Sequence, residues 1–390
     1  MPWETTNVIE ARIRLVMAYL ARAATMTKLC LLHRVSRKSG YKWVNEYRQH
    51  GLSGLGNRPR TPKSGKHWTG SAARDLIVQM RREHRSWSAA KIVARLQQLH
   101  PRRRFPSPTT AHKILRQAKL ITPRRERSRW REQGGRSVEV TRANALWTID
   151  FKGQFRTRDG RWCYPLTVVD ACSRYVLACV ALASPTFEAT WAEFEKLFRQ
   201  YGLPDAIHSD NGEPFASRSV GGLSRLAVRF IRLGIRVQRS RPGHPQDNGS
   251  HERMHRTLKE EATRPPAANL AEQQIRFDRF RKEFNEERPH EAHGQLQPRR
   301  FYRPSKKAYR ADPPHIEYPE SFVVRRVCSR GNIKWKASLI FVSEVLVGER
   351  VGLSREDGSW HIYFSSILLG RLDERRAKVM QVKQTIRIEA

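Results

Sequence analysis

The sequence predicts a multidomain protein, in which an all-α N-terminal region precedes an α/β domain and a small C-terminal β-barrel. Up to about residue 121, apolar residues recur with the 3.6-residue period of helices. From Asn144 onward, aromatic and β-branched strands alternate with helices, which is typical of a layered α/β domain. After Asp312, about five or six short strands follow within about seventy residues. A chain of 390 residues has room for about two to four domains.

The strongest global feature is positive charge. The chain has 74 Lys and Arg against 37 Asp and Glu, and residues 1–149 alone hold 32 basic and 8 acidic side chains. A field of this size indicates a nucleic-acid partner, and binding should weaken steeply with salt because counterions are released from the phosphates. A ribosomal or histone-like protein could be equally basic, but it would not need the aromatic-rich strands.

The same survey excludes several classes of protein. No run of about eighteen apolar residues is present, so we expect no transmembrane helix. The first residues lack the pattern of a secretion signal, in which a basic segment is followed by an apolar one. The five cysteines contain no CxxC pair and are odd in number, which favours reduced thiols in a cytoplasmic protein.

We expect residues 1–62 to form a helix-turn-helix DNA-binding domain. A helix over residues 5–22 and a shorter one precede a third helix, which Ser36 caps and Gly51 ends. This third helix would present four cations to DNA, namely Arg37, Lys38, Lys42 and Arg48. Gly40 inside it costs about 1 kcal/mol relative to Ala. The alternative is a plain helical hairpin with a solvated basic face.

A second helix-turn-helix domain is predicted over residues 63–121. Each of its three helices begins at a serine, at Ser71, Ser88 and Ser107. The third helix would turn Lys113 and Arg116 toward DNA. Two such modules in tandem favour recognition of a long and specific DNA end. Residues 122–142, which are basic and have no apolar period, are predicted to be an interdomain linker.

Residues 143–305 have the pattern of an α/β domain with the order βββ-α-β-α-β-α. Asp150 lies in the first strand, on the face opposite Trp147. Asp210 lies at the end of a later strand, where an Asn-Gly pair turns the chain. Both acids therefore lie in the predicted sheet or at its edge.

A third acid, Glu252, follows a loop that is rich in Pro and Gly. The helix that starts near Ser250 places Arg256 at i+4 and Lys259 at i+7 on the same edge as Glu252. This edge of the helix would provide a carboxylate ligand for a metal ion and two cations that can bind the phosphates of a nucleic-acid backbone. The alternative is an ordinary surface helix with i, i+4 ion pairs.

The order of elements allows the three acids to meet at one edge of a mixed sheet. Three carboxylates repel one another unless divalent cations neutralise them, and oxygen ligands suit Mg²⁺ or Mn²⁺. Two such ions about 3.5–4 Å apart can activate a nucleophilic oxygen and stabilise the leaving oxygen in phosphodiester chemistry. We therefore expect Asp150, Asp210 and Glu252 to be catalytic and to hold two Mg²⁺ ions, with Mn²⁺ as a possible substitute.

Three segments carry a resemblance to a known family, namely LWTIDFKG at 146–153, HSDNGEPF at 208–215 and GHPQDNGSHERMHRTLKEE at 243–261. They are similar to the acidic motifs of bacterial insertion-sequence DDE transposases, whose catalytic core is of the retroviral-integrase type. The similarity covers most of the chain. It implies an RNase H-like integrase core in which the three acids hold two Mg²⁺ ions. The resemblance places three further residues near the donor DNA end, namely Asn248, Arg256 and Lys259.

The sequence departs from the retroviral pattern at one point. The spacing from Asp210 to Glu252 is 42 positions, which is longer than in retroviral integrases. The segment SRSVGGLSRLA, at 217–227, resembles an insertion that lengthens a helix and leaves the three acids in place.

Other acids and histidines near these motifs have simpler interpretations. Asp170 ends a strand and could approach the three acids, but its position favours a turn-forming role. Four further acids are interpreted as surface residues or as residues distant from DNA: Glu213, Asp247, Glu260 and Glu261. Four histidines also lie nearby in sequence: His208, His244, His251 and His255. We interpret them as having no HxxxH spacing and therefore expect no zinc site among them, although one could hydrogen-bond a phosphate or a nucleophilic water.

A long helix closes the core and leads into the last domain. Asn269 and Glu272 form a capping box for a helix over residues 270–286. Its inward-facing residues are expected to be Ile275, Phe277, Phe280 and Phe284. Residues 306–390 have the strand pattern of a small β-barrel that resembles the one following the core in many integrases. Its basic face would be formed by Arg325, Arg326, Lys334 and Lys336.

Together these features predict a transposase. The helical domains would bind the terminal inverted repeats of an insertion sequence. The core would cleave the 3′ end with water and join the freed 3′-OH to target DNA. Because two DNA ends must be brought together, we expect at least a dimer on double-stranded DNA, associated with the bacterial nucleoid. The alternatives are an inert DNA-binding regulator derived from a transposase, which the three intact acids disfavour, and a plain nuclease, which would not need two recognition modules.

Overall fold

The structure is a computed structural model that describes residues 7–57, 70–121, 140–210, 212, 214–215, 217, 220–240 and 249–380. The chain forms two compact units, Met1–Trp68 and Thr69–Ala390. Most of the predicted linker at 122–142 lies outside the described residues. None of the described helices is long and apolar enough to cross a membrane.

The first unit has the predicted helix-turn-helix layout. Its helices are α1 (Val8–Leu20), α2 (Met26–Leu32) and α3 (Arg37–His50). Ser36 caps α3 by accepting a hydrogen bond from the Ser39 amide at 3.2 Å, and Gly51 follows the helix as predicted. The core of this unit is small and consists of Leu15, Val16, Met26, Cys30, Val44 and Leu55.

Gly40 has a packing role inside α3. A Cβ atom on Gly40 would lie 2.7 Å from both Cys30 Sγ and Met26 Sδ, two atoms of α2. The glycine that weakens the intrinsic helix propensity therefore allows α3 to pack closely against α2.

Three further helices begin the second unit, and they are α4 (Ser71–Glu83), α5 (Ala89–Leu99) and α6 (Pro108–Gln117). Ser88 and Ser107 cap α5 and α6, as the sequence predicts. Trp87, in the loop before α5, is fully buried at the centre of this helical cluster. Its other core residues include Ile77, Ile92, Leu96, Ala111 and Leu115.

A mixed sheet forms the middle of the second unit. Its strands are β1 (Trp147–Phe151), β2 (Phe155–Arg156), β3 (Trp162–Asp170), β4 (Val176–Leu182), β5 (Ala206–Ser209) and β6 (Arg236–Arg239). The strands β4, β3, β1, β5 and β6 lie side by side in that order, and β2 pairs with the start of β3. The β1–β3 and β3–β4 pairs are antiparallel, whereas β5 runs parallel to both β1 and β6. This is the α/β arrangement that the strand pattern predicts.

Helices cover both faces of the sheet. On the face of Trp147 and Ile149 lie α7 (Phe187–Tyr201) and α8 (Arg225–Arg232). On the opposite face lie α9 (Gly249–Glu261) and α10 (Leu270–Glu286), which pack against Val169 and Val176. The sheet is thus the middle layer of three.

The sequence predicts the limits of α10 correctly but misplaces one of its side chains. Asn269 accepts a hydrogen bond from the Glu272 amide at 2.9 Å, and Phe277, Phe280 and Phe284 are buried. The prediction that Ile275 faces inward is wrong, because its side chain is 65% exposed. It lies about 200° around the helix from Phe277, on the face of α10 that is opposite the apolar stripe.

Seven short antiparallel strands form the C-terminal part of the unit. They are β7 (Val323–Arg326), β8 (Asn332–Trp335), β9 (Ser338–Phe341), β10 (Arg350–Glu356), β11 (Ser359–Phe364), β12 (Ile367–Asp373) and β13 (Lys378–Met380). Five of them form one sheet in the order β13-β12-β11-β10-β7, and β8 pairs with β9. Their apolar core includes Ala227, Val228 and Ile231 of α8, so this domain is packed on the central one. The four cations of its predicted basic face are exposed.

We expect the substitution Gly40→Ala to destabilise the first unit. In an open helix this change would stabilise by about 1 kcal/mol. Here the added methyl group would overpack the α2–α3 contact and cost about 1–3 kcal/mol. Amide hydrogen exchange of α2 and α3 in the full chain measures the effect, with Asn45→Ala on the exposed side of α3 as the control. Slower exchange in Gly40→Ala than in the wild type would contradict this account.

Candidate active site

The pairing of β1 with its neighbours brings two of the predicted acids together. Asp150 pairs with Thr167 of β3, and Thr148 pairs with His208 of the parallel strand β5. Because side chains alternate along a strand, Asp150 is the next residue after Thr148 on the same face. Asp210 follows His208 by the same two residues, so the strand register places Asp210 beside Asp150.

Helix α9 supplies the third acid. Met254 and Leu258 are buried against the sheet and hold the helix in place. Glu252, in the first helical turn, is exposed. Arg256 and Lys259 are also exposed and follow Glu252 along one edge of the helix, as the sequence predicts.

Asp150 is the most constrained of the three acids. Its side chain is 20% exposed. Burial, together with the negative charges of Asp210 and Glu252, raises its pKa to about 7, while the nearby Lys152 acts in the opposite direction. The charges of Asp210 and Glu252 thus both disfavour the ionised form of Asp150. A divalent cation bound to these carboxylates would relieve that effect. Lys152 was not among the predicted site residues.

The other predicted contact residues have the exposure that DNA binding requires. Arg37, Lys38, Lys42 and Arg48 of α3 are exposed, as are Lys113 and Arg116 of α6. Asn248, predicted to lie near DNA, is outside the described residues.

Two buried histidines of α9 join the helix to the sheet next to Asp150. His251 and His255 are 1% and 7% exposed. The Thr167 hydroxyl lies 2.7 Å from Nε2 of each ring, and Thr148 Oγ1 lies 2.8 Å from Nδ1 of His251. His255 Nδ1 lies 3.5 Å from Asp150 Oδ2. Burial lowers the pKa of both rings, to about 3 for His255, so both rings are neutral at physiological pH.

The interpretation that these histidines have no HxxxH spacing is wrong. In HERMH, His251 and His255 have the H-E-x-x-H spacing of helical zinc sites. One ligand atom from each of Asp150, His251 and His255 lies within 4.8 Å of the others, so this group could hold a metal ion. However, both nitrogens of His251 lie at hydrogen-bond distance from threonine hydroxyls, and Glu252 is exposed while the two rings are buried. The arrangement therefore differs from that of a zinc protease helix.

Asp170 has the structural role that the sequence predicts. Its carboxylate is fully buried and accepts hydrogen bonds from the Asn144 amide at 2.7 Å and the Ser173 amide at 2.8 Å. These bonds fix the turn between β3 and β4 and the entry into β1.

The assignment of Glu261 to the surface is wrong. Its carboxylate pairs with Arg288 at 3.0 Å and contacts the Ser86 hydroxyl, in the loop between α4 and α5. Nearby, His84 Nδ1 lies 2.6 Å from Glu283 Oε1 of α10. The second helical domain is thus attached to α9 and α10 through polar contacts. No local pattern in the sequence indicates these contacts, because the partners are far apart along the chain.

Comparison with protein families identifies domains on both sides of residue 140. Residues 140–245 and 233–298 each match a family described as an integrase core domain. Residues 11–63 match a helix-turn-helix domain, and residues 39–115 match a homeodomain-like domain.

Among curated relatives, the Gag-Pol polyprotein of baboon endogenous virus (strain M7) is 32% identical over 134 residues, which is 34% of this chain and 7% of that protein. The Pol polyprotein of feline endogenous virus ECE1 is 32% identical over 130 residues, or 33% of this chain and 12% of that protein. The chain thus spans only a small part of the length of these relatives.

Solved structures similar to the chain include the HTLV-2 integrase catalytic core domain in complex with magnesium (trimeric form). It is 16% identical with a TM-score of 0.33, covering 42% of this chain and 98% of that one. The simian T-cell lymphotropic virus intasome in complex with PP2A regulatory subunit B56 gamma is 14% identical with a TM-score of 0.38. That match covers 76% of this chain and 98% of that one.

We expect the metal-free protein to lose stability as the pH rises from about 4 to about 7. An Asp carboxyl in the unfolded chain has a pKa of about 3.9, whereas that of folded Asp150 is about 7. Between these values the folded state holds a proton that the unfolded state has released, so stability falls with rising pH. Thermal unfolding in chelator at about pH 5 and about pH 8 measures this contribution against the variant Asp150→Asn, which should show a smaller difference. The same difference in wild type and variant would mean that Asp150 is not the titrating group.

Proposed function

We propose that this chain, in which residues 140–298 form an integrase core domain and residues 11–115 carry helix-turn-helix domains, is a DDE transposase. The core is of the polynucleotidyl transferase kind. One observation carries the proposal: Asp210 and Glu252, from distant parts of the chain, are close enough to Asp150 to raise its pKa. Three acids gathered in this way are suited to phosphodiester chemistry.

Asp150, Asp210 and Glu252 are the residues that would hold the cations, and we propose two Mg²⁺ ions that Mn²⁺ can replace. The donor set fits, because carboxylate oxygens are preferred ligands of these ions and the repulsion among them requires a counter-charge. When bound, the ions supply Lewis acidity for phosphodiester cleavage.

The chain's own residues position the reactants. Strand β1 fixes Asp150, and the packing of α9 places Glu252. The exposed Arg256 and Lys259 would hold the phosphates of the donor DNA, with Asn248 nearby. In the proposed reaction, water attacks the phosphorus at the 3′ end of the element and releases a 3′-OH. That hydroxyl then attacks a phosphorus of the target DNA and displaces a 3′-oxygen, without a covalent protein–DNA intermediate.

The two helix-turn-helix domains would recognise the terminal inverted repeats of a bacterial insertion sequence. We propose domain boundaries at 1–62, 63–121, 143–305 and 306–390, with a linker at 122–142. Because both ends of an element must react, the chain would act at least as a dimer assembled on DNA. The exposed cations of α3 and α6 support this role.

A catalytically inert DNA-binding regulator is the second candidate. It would keep the helix-turn-helix domains and the fold of the core without cleaving DNA. The burial of Asp150 among two further acids favours an enzyme, because a regulator gains nothing from that repulsion.

We expect Glu252→Gln and Asp210→Asn each to reduce strand transfer about a thousandfold, which corresponds to about 4 kcal/mol in the activation barrier. The assay follows a labelled duplex from the end of the element with Mg²⁺ present, and a gel shift checks that DNA binding is retained. Glu260→Gln, on the exposed side of the same helix, is the control. Full activity of Glu252→Gln would remove Glu252 from the mechanism, and a wild type that binds without cleaving would favour the regulator.

We expect Lys113→Ala and Arg116→Ala to weaken binding to the element end. Each lost phosphate contact should reduce the slope of log affinity against log salt by about one. A salt titration by fluorescence anisotropy measures both quantities, with Arg279→Ala, an exposed cation of α10, as the control. Equal slopes in all four proteins would show that α6 does not contact DNA.

A further inference from the structure

The Thr167 hydroxyl sets the tautomer of His255. Thr167 Oγ1 donates to the backbone oxygen of Asp150 at 3.0 Å, and a hydroxyl has only one proton to give. The Nε2 atom of His255, 2.7 Å away, therefore donates to a lone pair of Thr167. In a neutral His255 ring the proton is on Nε2, and Nδ1 carries an unshared electron pair.

This unshared pair of His255 faces a carboxylate. Nδ1 lies 3.5 Å from Asp150 Oδ2, which is longer than the distance of about 2.7–2.9 Å in a charge-assisted hydrogen bond. The His255 side chain is only 9% exposed. Two ligands that are each about 2.1 Å from a shared first-row ion lie about 3–3.5 Å apart. The separation therefore suits a cation held between these atoms.

His251 is not available for the same role. Its Nε2 lies 2.7 Å from Thr167 Oγ1, and its Nδ1 lies 2.8 Å from Thr148 Oγ1. Both nitrogens are thus engaged. Of the three residues whose ligand atoms lie within 4.8 Å of one another, only Asp150 and His255 keep free electron pairs that face each other.

We propose that His255 Nδ1 is a fourth ligand of the active-site cations, beside the carboxylate of Asp150. This inference rests on the proposed function, since it concerns the same carboxylate. A nitrogen ligand changes which ion the site prefers. Imidazole binds first-row transition ions well, whereas Mg²⁺ favours oxygen ligands, so Mn²⁺ should bind more tightly than at an all-oxygen site.

The experiment is pulsed electron paramagnetic resonance of Mn²⁺ bound to the full chain. Histidine nitrogen coupled to the ion gives echo modulation, which carboxylates do not give. We expect the modulation in the wild type and its loss in His255→Gln, whose side-chain amide can still donate to Thr167. His251→Gln is the matched control and should keep the modulation.

A second measurement separates the ligand role from a purely structural one. In His255→Gln the affinity for Mn²⁺ should fall about tenfold or more, while the affinity for Mg²⁺ should change much less. Isothermal titration with each metal alone, without DNA, gives both values. An equal fall for both metals would overturn the nitrogen ligand.

The outcomes also distinguish this inference from the proposed function. Wild-type Mn²⁺ binding that Asp150→Asn abolishes, but that shows no nitrogen modulation, would overturn the role of His255 and leave the acidic site standing. Binding that Asp150→Asn leaves unchanged would overturn both. The wild-type spectrum is itself decisive if His255→Gln does not fold.

Discussion

Repulsion among like charges is the constraint on which the centre of this structure depends. Asp150 cannot move away from its acidic neighbours, because β1 is paired on both sides, with β3 and with β5. Nor can Glu252 withdraw easily, since α9 is fixed by buried apolar residues and by hydrogen bonds from its histidines to the sheet. The fold thus imposes an unfavourable arrangement of charge that a bound cation would relieve. Clusters of like charges with a shifted pKa are often functional sites, because they do not stabilise the fold.

Much of the fold follows from local sequence signals. The alternation in WTIDF places Asp150 on the face opposite Trp147, and the structure has this arrangement. The serine caps of α3, α5 and α6 and the Asn269 cap of α10 are likewise found where the sequence indicates them. These signals are reliable because the side chain that forms the cap is within three residues of the amide that it satisfies.

What the sequence could not supply depends on distant neighbours. Gly40 is unfavourable by helix propensity alone, and only the approach of Cys30 and Met26 explains it. From the sequence alone, Glu261 is expected to be a surface residue, and only its ion pair with Arg288 in the fold shows otherwise. The histidine pair is an intermediate case, since its spacing is visible in the sequence but its hydrogen bonds to Thr148 and Thr167 are not.

The bridge from Glu261 through Arg288 to Ser86 has a consequence for where DNA would be cut. It ties the helical cluster that contains α6 directly to the end of α9, the helix that carries Glu252. In the proposed function, a DNA duplex bound by α6 would therefore lie at a fixed distance from the three acids. The scissile bond would then be chosen by counting base pairs from the recognised sequence, whatever bases stand at the bond itself. Base pairs inserted between the recognised sequence and the scissile bond would move the original bond away from the acids. A different phosphodiester bond would then lie at the acids.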